Sequence, residues 1–415
     1  MNIKKNINSI FFIKLIIAIF LISVFSYTFY FSLTNIINAW TYSEIHINYS
    51  LGFTKRGLLG SVMLYLESVG LSKNIFFSSI FIIMTILNIF LFINLINRYK
   101  KNHLFFFIFF SLNPALLLFS FYDLGGYART EIFGISVCFL HALFAQNFYH
   151  HKINYQRYLE LSFIVIYPLS LMTVLIHELN ILFLSFHILT TLLIINKNKF
   201  RDIINFKYLI ILNLIFTICI ISLLLIYPFT KEFAQELYNN LPNKEGTSFW
   251  IWDSIAIPFS ERFDTQISSM SGSILLYIFI LLFYLTPILF LLFRTSEINK
   301  YCATYIILST IPFIFLFFIG IDWGRWIHII IIVAFSCLIQ FKEKKLIIYK
   351  NYKCKIFTWT FIIFILFQFI FTRIPHCCNL AKLNLNIFGG IITKIDVFYS
   401  IINNNYDVKK RFQKY

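Results

Sequence analysis

Apolar residues in this chain come in long unbroken runs, and short charged segments separate them. Eleven such runs, most of roughly 17 to 24 residues, match the length of helix that crosses a hydrocarbon core. The expected spans are 10–33, 73–97, 104–121, 132–149, 160–176, 179–195, 207–229, 273–293, 301–320, 326–341 and 356–372. The first is too long for a signal-peptide core and carries no small-residue cleavage site, so it reads as a retained signal anchor. The fifth and sixth share only "IHELN" as a turn. A single helix through both would be about 54 Å long, more than a bilayer core takes. The fold class expected is an all-α polytopic integral membrane protein, one transmembrane domain over residues 1–415. Three longer polar segments accompany the bundle: a first loop at 34–72, a large loop at 230–272 and a tail at 373–415.

Composition agrees with the pattern: 59% of the 415 residues are hydrophobic and only 13% charged, which excludes an ordinary soluble domain. The formal net charge of +17 is not a nucleic-acid footprint, because Lys and Arg fall in the short breaks and form no basic stripe on a soluble face. They orient the protein instead. One set of breaks reads "NRYKKNH", "HHKINYQR", "NKNKFRDIINFK", "FRTSEINK" and "KEKKLIIYKNYKCK". By the positive-inside rule these, with the N-terminal "MNIKK", face the cytoplasm. The alternate breaks and the three longer segments then face outward. No phosphate-binding GxxxxGK[ST] loop lies on the cytoplasmic side, so an ATP-driven pump is not expected. The seven cysteines have no metal-ligand spacing, five lie in or beside apolar runs, and the adjacent Cys377 and Cys378 are poorly placed for a strained vicinal disulfide. Neither a metal nor a cofactor is expected. The basic tail "KKRFQKY" suits solvent or anionic headgroups.

The outward breaks differ in kind from the inward ones. They carry acids, His and Arg together with Gly and aromatics: "EIHINYSLGFTKRGLLG" (44–60), "YDLGGYARTE" (122–131), "HELN" (177–180) and "GIDWGRWIHI" (320–329). Mixed ionisable groups gathered at one boundary point to a site. Asp322 and Arg325, three apart, suit a boundary salt bridge with Trp323 and Trp326 as interfacial anchors, or an anion clamp in which Arg325 forks onto phosphate oxygens. His177 and Glu178 sit where a charge is costly, either as a mutually satisfied turn or as a general base for a sugar hydroxyl. Asp123, Arg129 and Glu131 flank a Gly-Gly turn, as a polar hairpin tip or as substrate ligands. Lys55 and Arg56 precede a segment, 57–71, that suits an amphipathic or re-entrant helix, and can serve as a cap or as anion ligands. Glu44 and His46 are weaker candidates. "WIWDSIAIPFSERF" in the large loop sets two Trp beside acids, a composition that holds sugars and also occurs at any membrane interface.

On "GFTKRGLLG", "YDLGGYARTE", "LIHELN" and "GIDWGRW", set in about eleven helices, the chain resembles the Wzy-type O-antigen and capsular polysaccharide polymerases. The resemblance implies a metal- and nucleotide-independent glycosyl transfer at the periplasmic face of the bacterial inner membrane. Its donor would be a glycan on undecaprenyl diphosphate, its acceptor the next lipid-linked repeat unit, with membrane lipid and a chain-length regulator as partners and no nucleic acid. Arg56, Arg129 and Arg325 would stabilise the diphosphate leaving group, with Lys55, Asp123, Glu131 and Trp323 lining the substrate site. Glu178 or His177 would serve as base, and Asp322 would position Arg325 on the anion. A polyprenyl-phosphate-dependent GT-C glycosyltransferase with Glu44 as base is the alternative. A flippase would put ionisable groups at mid-membrane and show an internal repeat, and an acyltransferase would use His177 as base.

Overall fold

The computed structural model describes residues 39–97, 110, 113–116, 119, 129–197, 207–242, 244, 247–258, 260–264, 274–294, 299–318, 322–340, 363–364 and 367–368. Every regular element among them is helical. Two short helices open the described chain, α1 (Ala39–Glu44) and α2 (Gly57–Ser68). They are followed by α3 (Lys73–Asn97), α4 (Glu131–Tyr149) and α5 (Tyr155–Ile176), whose middle turn, Ser162–Ile166, is π-helical. A 3₁₀ turn at Glu178–Leu182 leads into α6 (Phe183–Lys197). Then come α7 (Lys207–Ile226), α8 (Lys231–Asn239), α9 (Phe249–Ala256), α10 (Ile274–Arg294), α11 (Asn299–Ile314) and α12 (Trp323–Ile339).

Four helical stretches are long and apolar enough to cross a membrane: Lys73–Asn97, Glu131–Tyr149, Tyr155–Ile176 and Glu178–Ile195. Four shorter apolar helices accompany them, at Asn213–Leu223, Tyr277–Leu289, Cys302–Phe318 and Trp323–Ile339. Of the eleven expected spans, 10–33 lies outside the described residues, as does the tail from 373, and 104–121 and 356–372 lie mostly outside them. The described residues of the two long loops include helices: α1 and α2 in 34–72, and α8 and α9 in 230–272. Helix α12 begins at Trp323, three residues before the expected 326, so Arg325 and His328 are helical residues.

Helix α12 is the axis of the bundle. All of its residues are buried, as its apolar composition on every face requires, and it packs on α4, α6, α10 and α11. The outer helices turn apolar side chains outward instead: Ile75, Ile83, Ile86 and Phe90 on α3, and Leu214, Ile215, Ile218 and Leu225 on α7. Exteriors of this kind suit a hydrocarbon solvent. Polar ties cross the apolar core at single points. Gln146 on α4 donates to the carbonyls of Leu95 and Ile339, both at 3.0 Å, joining three helices.

Two glycines set close approaches that position the candidate site. A Cβ on Gly60 would lie 2.0 Å from the Ile47 carbonyl oxygen, so only glycine lets α2 rest on the 45–47 backbone that comes after Glu44. On α4, a Cβ at Gly134 would meet Asn180 Oδ1 and the Phe183 ring, each at 2.7 Å, which sets how closely α4 lies against the start of α6.

Candidate functional site

Four chain segments that are far apart in sequence deliver charged side chains to one end of this bundle. The last residue of α1 supplies Glu44, and the residue before α2 supplies Arg56. The start of α4 supplies Arg129 and Glu131. The break after α5 supplies His177 and Glu178, and the start of α12 supplies Asp322 and Arg325. Each segment is a helix end, so local geometry places the charges there. His177 is fully extended (φ −155°, ψ 120°), which ends α5 and re-aims the chain into the 3₁₀ turn. Arg56 adopts the left-handed conformation (φ 64°, ψ 7°) that L-residues other than Gly, Asn and Asp seldom take. That conformation turns the chain into α2 and directs the guanidinium inward.

Arg56 joins two carboxylates. Its Nη1 donates to Glu44 Oε1 at 2.6 Å, while Nε and Nη2 fork onto Glu178 Oε2 and Oε1 at 2.7 and 2.6 Å. A planar guanidinium can serve two carboxylates in this way and an ammonium cannot. His177 stands between the acids. Its Nδ1 accepts the backbone N–H of Leu179 at 3.1 Å, so the proton resides on Nε2, which faces Glu44 Oε1 at 3.1 Å and Glu131 Oε1 at 3.7 Å. Arg325 closes the network, with Nη2 at 2.8 Å from Asp322 Oδ2 and Nη1 at 3.3 Å from Glu131 Oε1, its guanidinium 4.4 Å from the centre of the Trp326 ring.

Nearly all of this is out of solvent. The Glu44, Glu131 and His177 side chains are at most 3% exposed, and the most open carboxylates are Glu178 at 22% and Asp322 at 16%. Burial alone would raise the Glu44 carboxyl, but Arg56 and His177 outweigh it and hold it down at about 2. For Arg56, burial disfavours the charge, and the Glu178 and Glu44 carboxylates more than restore it, so its pKa is raised. Arg129 goes the other way: burial, then the neighbouring Arg325 charge, lower it despite Asp322 and Glu131.

A second layer covers the network. Lys55 Nζ donates to the Ile255 carbonyl at 3.2 Å, at the C-terminal end of α9, and burial brings its pKa down to about 8 against the opposing pull of Glu178. Arg262 donates to the adjacent Ser254 carbonyl, and its pKa is lowered by burial and then by Arg56. Both cations meet the carbonyl end of a helix, where positive charge is favoured. Helix α9 is held to α1 through Trp252 Nε1, which donates to the Ser43 carbonyl at 2.6 Å, and through Ser248 N–H, which donates to Ser43 Oγ at 2.9 Å. Helices α8 and α9 pack on each other through Phe229, Leu237, Ile251 and Trp252, with Ile47 beneath.

Of the sequence-derived residues, Lys55, Arg56, Arg129, Glu131, His177, Glu178, Asp322 and Arg325 come together here. Asp123 lies outside the described residues. Trp323 is buried, edge-on to Tyr277 (ring centroids 4.4 Å apart) and beside Phe317, while Trp326 takes the contact with Arg325. Sequence reasoning ranks Glu44 low, yet it joins Arg56 to His177. The signal for it is its place in the outward mixed-charge segment 44–60. Among the described residues no group of three or more His, Cys, Asp or Glu side chains is arranged to hold a metal ion. Comparison with protein-family models, with curated proteins and with solved structures finds no match.

Proposed function

We propose that this protein polymerises undecaprenyl-diphosphate-linked oligosaccharide repeat units at the periplasmic face of the bacterial inner membrane. The observation that carries the reading is the convergence of three arginines, four acids and one histidine at a single end of an apolar helical bundle. Burying so many charges is expensive unless they are paired and used. Glycosyl transfer from a lipid diphosphate needs such a set: cations for the departing diphosphate and a carboxylate for the acceptor proton. The acceptor oxygen bonds to the anomeric carbon, the bond from that carbon to the diphosphate oxygen breaks, and the electron pair leaves on the diphosphate. The hydroxyl proton passes to a carboxylate.

In this reading Arg129 and Arg325 take the diphosphate charge as it develops, with Arg325 held in place by Asp322 and Glu131. Arg56 keeps Glu178 in place at the more open side of the network, where an acceptor sugar reaches it. The covering helix α9, with Trp250 60% exposed, offers an aromatic face to the glycan. In a strain lacking the gene, lipopolysaccharide is expected to carry single repeat units, and wild-type complementation to restore the ladder. Complementation with Arg325→Ala or Glu178→Gln is expected to leave single repeats. A full ladder in the deletion strain would rule out polymerisation, and full rescue by both variants would reduce the network to a structural role.

One observation favours a second reading, a GT-C glycosyltransferase using a polyprenyl-phosphate sugar. Glu44, from the first long loop, is an acid beside Arg56 and His177, and a short helix, α2, comes after it. In that case deletion alters the sugar composition of the glycan and leaves its length distribution intact.

A further inference from the structure

A second buried polar group lies deeper in the bundle, and glycosyl transfer makes no use of it. His141 on α4 and His187 on α6 are both fully buried, and their Nδ1 atoms are 3.0 Å apart. His141 Nε2 is 2.8 Å from the Tyr158 hydroxyl at the beginning of α5. His141 lies ten residues along α4 from Glu131, a separation of about 15 Å at the helical rise, and His187 lies ten residues after His177, beyond the 3₁₀ turn. These are apolar helices of membrane-crossing length, where ionisable side chains are rare and costly.

Histidines can tie helices together by hydrogen bonds across a bundle. Three features go beyond that role. The first is the row itself: hydroxyl, imidazole, imidazole, joined end to end through both nitrogens of His141. An Nδ1···Nδ1 contact holds one proton, because two N–H groups cannot point at each other. The row therefore has two arrangements of its protons that differ by a shift along it. The second is its inner end, where His187 Nε2 is buried and has no hydrogen-bond partner. Interhelical glue would use that atom, whereas a carrier needs an end that can exchange its proton.

The third is the π-helical turn at Ser162–Ile166. Tyr158 and Tyr167 are nine residues apart, two and a half turns of ordinary helix at about 3.6 residues per turn, which would set them on opposite sides. The π turn adds a residue and rotates the later part of the helix, so both hydroxyls reach one place. Tyr158 meets His141, while Tyr167 donates to the His187 carbonyl at 3.4 Å and to Thr191 Oγ1 at 3.2 Å. Such turns cost regular hydrogen bonding and are frequent at functional sites. The neighbouring Tyr305 on α11 is occupied with Thr190 and Gln340, and no described ion pair involves either histidine.

We propose that Tyr158, His141 and His187 form a proton relay between the Tyr158 end of the bundle and its interior. A proton taken from water at His187 Nε2 releases the one on Nδ1 to His141 Nδ1. His141 Nε2 then gives its proton to the Tyr158 oxygen as the hydroxyl proton passes to water. One proton enters, one leaves, and no other bond changes. The relay goes beyond the polymerase reading, and stands or falls whatever the lipopolysaccharide ladder shows.

The test is solid-state NMR of the full-length protein in lipid bilayers with ¹⁵N-labelled histidine. The His141 and His187 signals are assigned by their loss in His141→Gln and His187→Gln. The expected result is ring nitrogens of both residues that sample protonated and bare forms and exchange with deuterated solvent, with exchange slowed by an order of magnitude or more in Tyr158→Phe. His187→Gln is expected to fix His141 in a single tautomer, which keeps the test decisive if Tyr158→Phe does not fold. Fixed tautomers without exchange in the wild type would overturn the relay. So would unchanged exchange in Tyr158→Phe, or continued two-form sampling by His141 in His187→Gln.

Discussion

Arg56 is the residue on which the site's geometry turns. It joins Glu44 to Glu178, and it does so from a left-handed backbone conformation that costs an L-residue about 1–2 kcal/mol. Arg56→Ala removes the guanidinium and keeps the strain, leaving two carboxylates facing each other in a buried site. Loss of one partner from a buried pair typically costs about 3–5 kcal/mol, and a correspondingly lower unfolding temperature in detergent is expected. Arg56→Gly loses the same contacts but relieves the strain, so it is expected to unfold at a higher temperature than Arg56→Ala. The reverse order would mean that the strain is absent. Glu44 gives a pH test. Its folded pKa, near 2, lies below its ordinary value of 4.5, so its charge stabilises the fold fully above about pH 4.5. That contribution is lost as pH falls from there towards 2. The stability gap between wild type and Glu44→Gln is therefore expected to be widest near neutrality and to narrow below pH 4.5. A gap independent of pH would show that the carboxylate is not held ionised.

At the scale of elements, the helix ends matter more than the helices. Apolar runs and the charged breaks between them were legible because length and charge alternation derive from membrane physics. Expected spans such as 73–97 and 132–149 recur as α3 and α4 with small differences at their ends. The outward breaks could be recognised as one class, but which acid pairs with which arginine depends on how α1, α4, α5 and α12 pack, and no local pattern encodes that. Two features were hidden for definite reasons. His141 and His187 are single histidines within apolar runs, where composition reads them as core. The π turn in α5 leaves no compositional trace, since "SFIVI" suits any apolar helix. Gly60 links the two levels: "GLLG" reads as a helix start, while the structure shows its second glycine admitting the Ile47 carbonyl. Gly60→Ala forces that contact apart and is expected to destabilise the protein by about 1–3 kcal/mol, the usual cost of overpacking, read as a lower unfolding temperature. A neutral result would place α2 farther from the 45–47 backbone.

At the scale of the whole molecule, the described helices gather a charged site at one end of the bundle, and the proposed function is that this site joins lipid-linked glycans. Helix α12 supplies the rigid axis, the outer helices present an apolar surface, and α8 and α9 cover the network from the large loop. Such a layout makes the site depend on groups from several segments at once. The most direct measurement is elongation by the purified protein in lipid bilayers supplied only with undecaprenyl-diphosphate-linked repeat units. A polymerase is expected to give products of two or more repeats from the wild type, with undecaprenyl diphosphate released, and none from Arg325→Ala. Wild-type protein that leaves the repeat units unjoined, yet transfers a single sugar from a polyprenyl phosphate, would contradict that function.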